Sequence, residues 1–162
     1  MIQHSLNIAY NEYNSPDELN DSARLLLSKA WEACKSAYAP YSKFYVGAAL
    51  ELENGLIVTG NNQENAAYPS GLCAERVAIF SAASNYPGIE IVNIAVVART
   101  DSFGLQHPVT PCGGCRQVMA EYENLSGKPI SIWMQGSDGL VWMVNGVNNL
   151  LPLMFQGEKL KK

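Results

Sequence analysis

Two short segments about 40 residues apart, Cys73-Ala74-Glu75 and Pro111-Cys112-Gly113-Gly114-Cys115, constrain this 162-residue chain more than any other feature. Thiolates at these spacings can hold a zinc ion with three protein ligands, provided the fold brings the two segments to one point. Three ligands leave a fourth position for water, which suits a hydrolytic site. A closed structural site would want a fourth side chain, and neither His4 nor His107 stands at a typical spacing for it. Glu75, two residues after the first cysteine, is placed to move the protons of that water.

Both segments fall where a loop enters a predicted helix. Free backbone N–H groups and the helix dipole favour negative charge there, which lowers thiol pKa values and lets the sulfurs bind metal at neutral pH. Three thiolates around Zn²⁺ leave a net charge of about −1, which makes bound water less acidic, so an offset is needed. Arg76, beside Glu75, is the expected donor to the thiolates, and Arg116, beside Cys115, could serve likewise. The pairing of C-x-E with a later P-C-x-x-C is the cysteine-ligated form of the zinc deaminase signature. The fourth cysteine, Cys34, sits in an apolar helical stretch and reads as a buried structural thiol.

Periodicity supplies the surrounding elements. Residues 1–15 are polar and tyrosine-rich, and read as an N-terminal extension or a short strand. Ser15 caps a helix expected from 16 to about 37, with Leu19, Ala23, Leu26, Leu27, Ala30 and Ala33 at helical spacing. Strands are expected over 44–52 and 56–61, joined by an Asn54-Gly55 hairpin turn. A polar loop over 62–72 leads to a helix over 73–84, and 89–98 reads as a central strand covered on both faces. A second loop leads to a helix over 113–123, then strands over 130–135 and 140–144, with a short helical turn near 147–150. The expected architecture is α/β: a single mixed five-stranded sheet with helices on its faces, forming one domain over 16–162. Lys161 and Lys162 read as a frayed end.

Composition narrows the partners. With 48% apolar and 16% charged residues the chain is an ordinary globular protein, and no run of about 18 apolar residues suggests a membrane span. Met1-Ile2-Gln3-His4-Ser5 lacks the basic and apolar regions of a secretory signal, so the four cysteines favour metal or reduced thiols over disulfides and a cytoplasmic setting. A net charge of −4 argues against nucleic acid and fits a small neutral substrate.

With these residues in place, the chain resembles the small cytidine deaminase family of free-nucleoside salvage enzymes, in its three-cysteine branch. Further landmarks are Ala39-Pro40-Tyr41-Ser42-Lys43-Phe44, Val46-Gly47-Ala48-Ala49 and Asn62-Gln63-Glu64-Asn65-Ala66-Ala67-Tyr68. Cys73-Ala74-Glu75-Arg76, Pro111-Cys112-Gly113-Gly114-Cys115-Arg116-Gln117 and Leu150-Leu151-Pro152 with Phe155 follow in the family's order. The resemblance implies one Zn²⁺ per chain on Cys73, Cys112 and Cys115. It also implies hydrolysis of cytidine or deoxycytidine to the uridine and ammonia, with zinc-bound hydroxide attacking C4 and Glu75 shuttling protons. It further implies that Asn62 and Glu64 hold the ribose hydroxyls, that Phe44 packs against the pyrimidine, and that backbone groups of Ala74 and near Thr110 and Cys112 read the base edge. Tyr68 matches either the pocket or a subunit contact. The branch forms homotetramers in which the phenylalanine matching Phe155 reaches a neighbour's substrate. Three departures stand out: Gln63 replaces an apolar residue, Leu153-Met154 replaces small residues, and the N-terminal extension is long.

Three other readings compete. Aminoacyl-nucleoside antibiotic deaminases share the cysteine motifs but lack the Asn-x-Glu-Asn segment, so Asn62 and Glu64 count against them. A polynucleotide editing enzyme commonly carries histidine as first ligand and needs a cationic track. A silent zinc-bearing scaffold or nucleoside-binding subunit would lack Glu75 or a ligand, and neither is missing.

Overall fold

The computed structural model describes residues 1–102, 104, 105 and 107–157; Lys161 and Lys162 lie outside them. Its longest strands follow from alternation. Along β2 (Phe44–Leu52), Ala48, Leu50 and Leu52 point to one face while Ala49 points to the other. Asn54-Gly55 turns the chain, with Gly55 in the left-handed region at φ 81°, into β3 (Ile57–Asn61). β4 (Ile91–Thr100) is buried on both faces, with Ile94 and Val96 on one side and Ala95 and Val97 on the other, as its unbroken apolar run requires.

One layer of helix covers each face. α1 (Asp21–Cys34) lays Ala23, Leu26, Leu27, Ala30 and Cys34 on Ala49, Ala95, Val97 and Trp133. α2 (Ala74–Asn85) and α3 (Gly113–Ser126) cover the opposite face, where Ile79 and Met119 are fully buried with Leu50, Ile94 and Met134. α3 is the crossover from β4 to the parallel strand β5 (Ser131–Gln135), and β6 (Val141–Asn145) returns antiparallel. α3 therefore begins beyond the carboxyl end of β4, beside the first turn of α2.

Two expectations change. The helix expected over 16–37 is split, because Asn20 caps as well as Ser15 does. Ser15 Oγ accepts from Asp17 N at 3.0 Å and opens only a 3₁₀ turn, Pro16–Glu18. Leu19 is then extended and buried, Asn20 Oδ1 accepts from Ala23 N at 2.9 Å, and α1 ends at Cys34. The sheet has six strands, not five, in the order β1-β6-β5-β4-β2-β3. The added strand, β1 (Asn11–Tyr13), lies in the N-terminal extension and pairs antiparallel with β6 through Glu12 and Trp142. Its polar sequence is too short to show alternation. It is held from outside, by Trp142 Nε1 donating to Glu12 Oε2 at 2.7 Å and by Tyr10 packing on the Trp142 ring.

Close approach fixes α2 on the sheet. A Cβ at Gly60 would lie 2.5 Å from Ala78 N and 2.6 Å from Ala74 O, so the backbone of the first turns of α2 rests directly on β3.

Candidate active site

Cys73 is the N-cap of α2 and Cys112 the N-cap of α3, and neither helix start has a side-chain cap on its free N–H groups. Cys115 lies on the first turn of α3, fully buried. These positions bring Cys73 Sγ to 3.9 Å from Cys112 Sγ and Cys112 Sγ to 3.5 Å from Cys115 Sγ, with all three sulfurs within 4.8 Å of one another. A tetrahedral ion with bonds of about 2.3 Å to sulfur separates its sulfurs by about 3.8 Å, so the donor set fits zinc in both spacing and softness. Among the described residues, no histidine, carboxylate or further cysteine joins the cluster.

Electrostatics at the sulfurs follows the helix starts and one cation. Arg76 Nη2 approaches Cys73 Sγ at 3.7 Å, as expected of a donor to a thiolate. A hydrogen bond from Cys115, aided by Arg76 and Cys112 against the effect of burial, holds the Cys73 thiol down to about 5. Cys115, which gives that bond and is buried, is pushed up in return. Glu75 is only 4% exposed, and burial, reinforced by the charge of Cys73, pushes its carboxyl above the ordinary carboxylate range.

A cavity of about 740 Å³ opens beside the sulfurs and takes in Cys73, Cys112, Glu75 and Arg76. That volume suits a small organic molecule. Phe44, Asn62, Glu64 and Tyr68 line it too, so sequence positions spread over β2, the loop after β3 and the two helix starts share one wall. Phe44 is half-buried, and Tyr68 is exposed and meets Tyr41 edge-on at 6.3 Å between ring centres. Ala74 is wholly buried in the first turn of α2. Phe155 does not line this cavity and is 69% exposed.

The family model for the cytidine and deoxycytidylate deaminase zinc-binding region matches residues 20–125. The chain belongs to this family. A cytidine deaminase of Halalkalibacterium halodurans is 42% identical over 135 residues, covering 83% of this chain and 95% of that protein. One from Sporosarcina psychrophila is 43% identical, covering 83% of this chain and 92% of that protein. The crystal structure of a cytidine deaminase from Burkholderia pseudomallei superposes with a TM-score of 0.71 at 40% identity, over 85% of this chain and all of the other. The mixed sheet with helices on both faces is thus the fold of cytidine deaminases.

Against that family background, one detail departs from what the residues alone suggest, and two more describe the loop after β3. Arg116 is not a donor to the sulfurs: Nε donates to Pro111 O at 2.7 Å, Nη2 to Thr110 Oγ1 at 2.9 Å and Nη1 to Leu150 O at 2.6 Å. Asn62 is tied to β2, accepting from Val46 N at 2.8 Å and donating to Phe44 O at 2.9 Å. The backbone of Gln63 exchanges hydrogen bonds with Leu72, its neighbours Asn62 and Glu64 bond to the backbone of Tyr38, and the Gln63 side chain is exposed. Tyr41 and Ser42 carry a task that motif spacing does not reveal. Their N–H groups and the Ser42 hydroxyl all donate to the Glu64 carboxylate, and they hold it below the ordinary range, the hydroxyl most strongly. Cys34, as expected, is buried, with its Sγ 3.4 Å from Tyr45 O. His107 is exposed and stacks on Trp142.

Proposed function

We propose that this chain is a zinc-dependent cytidine deaminase, hydrolysing free cytidine and deoxycytidine to uridine and deoxyuridine with release of ammonia. The observation that carries the reading is a buried acid, Glu75, in the same cavity wall as Cys73 and Cys112, whose sulfurs, with that of the buried Cys115, are spaced for a tetrahedral zinc with three protein ligands. Cys73, Cys112 and Cys115 would hold one zinc ion per chain, and such an ion would supply the Lewis acidity that makes water a nucleophile toward C4. Glu75 carries the two protons of that water in turn, the first to the ring nitrogen and the second to the amine, which leaves as ammonia as the C4–N bond breaks. Burial raises this carboxyl above the ordinary carboxylate range, which favours its holding a proton between the two transfers. Arg76 offsets the excess negative charge of three thiolates.

The remaining wall orients the nucleoside. Glu64 keeps lone pairs after its bonds to Tyr41 and Ser42, and Asn62 Oδ1 keeps one after its bond to Val46, so both accept sugar hydroxyl protons. Phe44 gives the base an apolar face, Tyr68 closes the solvent side, and buried backbone at Ala74 and the segment around Thr110 and Cys112 meet the base edge. The only cationic side chain lining the cavity among the described residues is Arg76, already engaged with Cys73, while Glu64 repels anions. A 5′-phosphate is therefore disfavoured, and a free nucleoside is the substrate. Such a reaction belongs to pyrimidine salvage, and four free cysteines suit the reducing cytoplasm. Assembly as a homotetramer brings Phe155 to a neighbouring subunit's cavity. Its exposure, beside Leu153 at 92%, supports that role.

The test is a panel of cytidine, deoxycytidine, cytosine and cytidine monophosphate, followed by the loss of long-wavelength ultraviolet absorbance and by zinc analysis. Turnover of the two nucleosides alone, with one zinc per chain, is expected. Zinc at one per chain with no absorbance change would favour a silent scaffold.

A further inference from the structure

Arg116 takes no part in the chemistry above, yet its planar side chain joins three pieces of the protein beside the cavity. One edge of the guanidinium, Nε and Nη2, grips Pro111 O and Thr110 Oγ1, and Nη1 reaches the opposite way to Leu150 O. Its backbone N–H meanwhile donates to Cys112 O at 2.9 Å within the first turn of α3. Thr110 and Cys112 line the cavity, so the residue that grips the first stands on the turn that begins with the second. Leu150 is buried in the core beneath α3, which gives the third bond a fixed anchor. Gln117, the next residue, donates from Nε2 to Phe155 O at 3.0 Å, so the same turn also holds the C-terminal segment at a second point.

The need for such a device is physical. The segment entering α3 closes the long loop that follows β4, and Pro111 has no N–H with which to anchor it. A base edge read by backbone groups around Thr110 requires that segment to keep a fixed position relative to the sulfurs of Cys112 and Cys115. A rigid fork with donors on two edges does this, and a single ammonium cannot.

We infer that Arg116 is a positioning residue for the deaminase reaction: it locks the Thr110 edge of the cavity to the metal-binding turn of α3 and to the core at Leu150. This inference rests on the function proposed above. It assigns Arg116 to substrate placement and not to the charge balance of the thiolates, and the two roles separate on replacement by lysine, which keeps the charge and loses the fork.

The experiment compares the parent protein with Arg116→Lys, Thr110→Val and Thr110→Ser, each assayed for cytidine KM and kcat per bound zinc. Arg116→Lys is expected to keep one zinc per chain and raise KM by about tenfold or more, the scale of lost charge-assisted hydrogen bonds, with a smaller change in kcat. Thr110→Val should raise KM in the same sense, Thr110→Ser should restore it, and adding Thr110→Val to Arg116→Lys should cost little more. A parent-like KM in Arg116→Lys overturns the inference, as does a lower melting temperature with KM unchanged. If Arg116→Lys fails to fold, the threonine pair decides, and equal KM values for valine and serine overturn it. A parent protein that does not turn over cytidine refutes the proposed function itself, whereas an active parent with unaffected variants refutes only the role of Arg116.

Discussion

Replacing Gly60 by alanine tests whether α2 must rest directly on β3 for the sulfurs to converge. The added Cβ would meet Ala78 N at 2.5 Å and Ala74 O at 2.6 Å, where ordinary contact begins at about 3.4 Å. Both obstructing atoms are backbone, so no side chain can swing aside, and the start of α2 must retreat by about 0.9 Å. Overpacking of this kind costs about 1–3 kcal/mol, which for a chain of this length lowers the melting temperature by roughly 2–12 °C. The more telling effect is at Cys73, the N-cap of the displaced helix. Metal bonds tolerate about 0.2 Å of error, so a shift several times larger stretches one ligand away from the other two. Zinc affinity, measured by competition with a chromogenic chelator, should fall by about a hundredfold or more, and cytidine turnover should fall at limiting zinc and recover in part at excess. Unchanged zinc affinity with a lowered melting temperature would refute the reasoning, because it would separate the packing of α2 from the geometry of the sulfurs.

Other perturbations separate the remaining roles. Glu75→Gln should keep zinc at one per chain while kcat falls by about 10²–10⁴-fold, the range for loss of a proton-transferring group; retained turnover would remove Glu75 from the reaction. Cys112→Ala should lose the metal and lower stability, since its sulfur bridges α2 and α3, as metal analysis and thermal melting would reveal. Ser42→Ala addresses pH dependence. The Ser42 hydroxyl is the largest influence holding the Glu64 carboxyl down, so Glu64 stays ionised to lower pH than an ordinary glutamate. Its contribution is present in full above the ordinary carboxylate pKa and is lost as pH falls through the lowered value, for binding and stability alike. In Ser42→Ala the acid limb of kcat/KM should move to higher pH, and an unmoved limb would contradict the role of Glu64 in holding the sugar.

The residues most legible in the sequence are those whose chemistry demands a rare combination. Cys73, Glu75, Cys112 and Cys115 stand out by type and spacing, and the fold gathers the three sulfurs to one point and sets Cys73, Cys112 and Glu75 along one cavity. The long strands and α2 and α3 were readable because alternation and helical spacing persist over enough residues to exclude other patterns. What escaped was set by particular contacts. A short strand within 1–15 is one of the two readings the sequence allows, but its place in the sheet comes from Trp142, far along the chain, bonding Glu12, and nothing in Asn11-Glu12-Tyr13 predicts that pairing. The division of the first helix turned on two adequate caps, Ser15 and Asn20, between which the burial of Leu19 decides. The partners of Arg116 are not legible in the sequence, because proximity to Cys115 does not tell which way a long side chain points.

The account depends most on how the metal is held, and X-ray absorption at the zinc edge of the purified protein measures that directly. The expected spectrum has three sulfur neighbours at about 2.3 Å and one oxygen or nitrogen near about 2.0 Å, with the light neighbour altered by a tight-binding nucleoside analogue. Four protein ligands unaffected by the analogue, or a protein that binds no zinc, would contradict it.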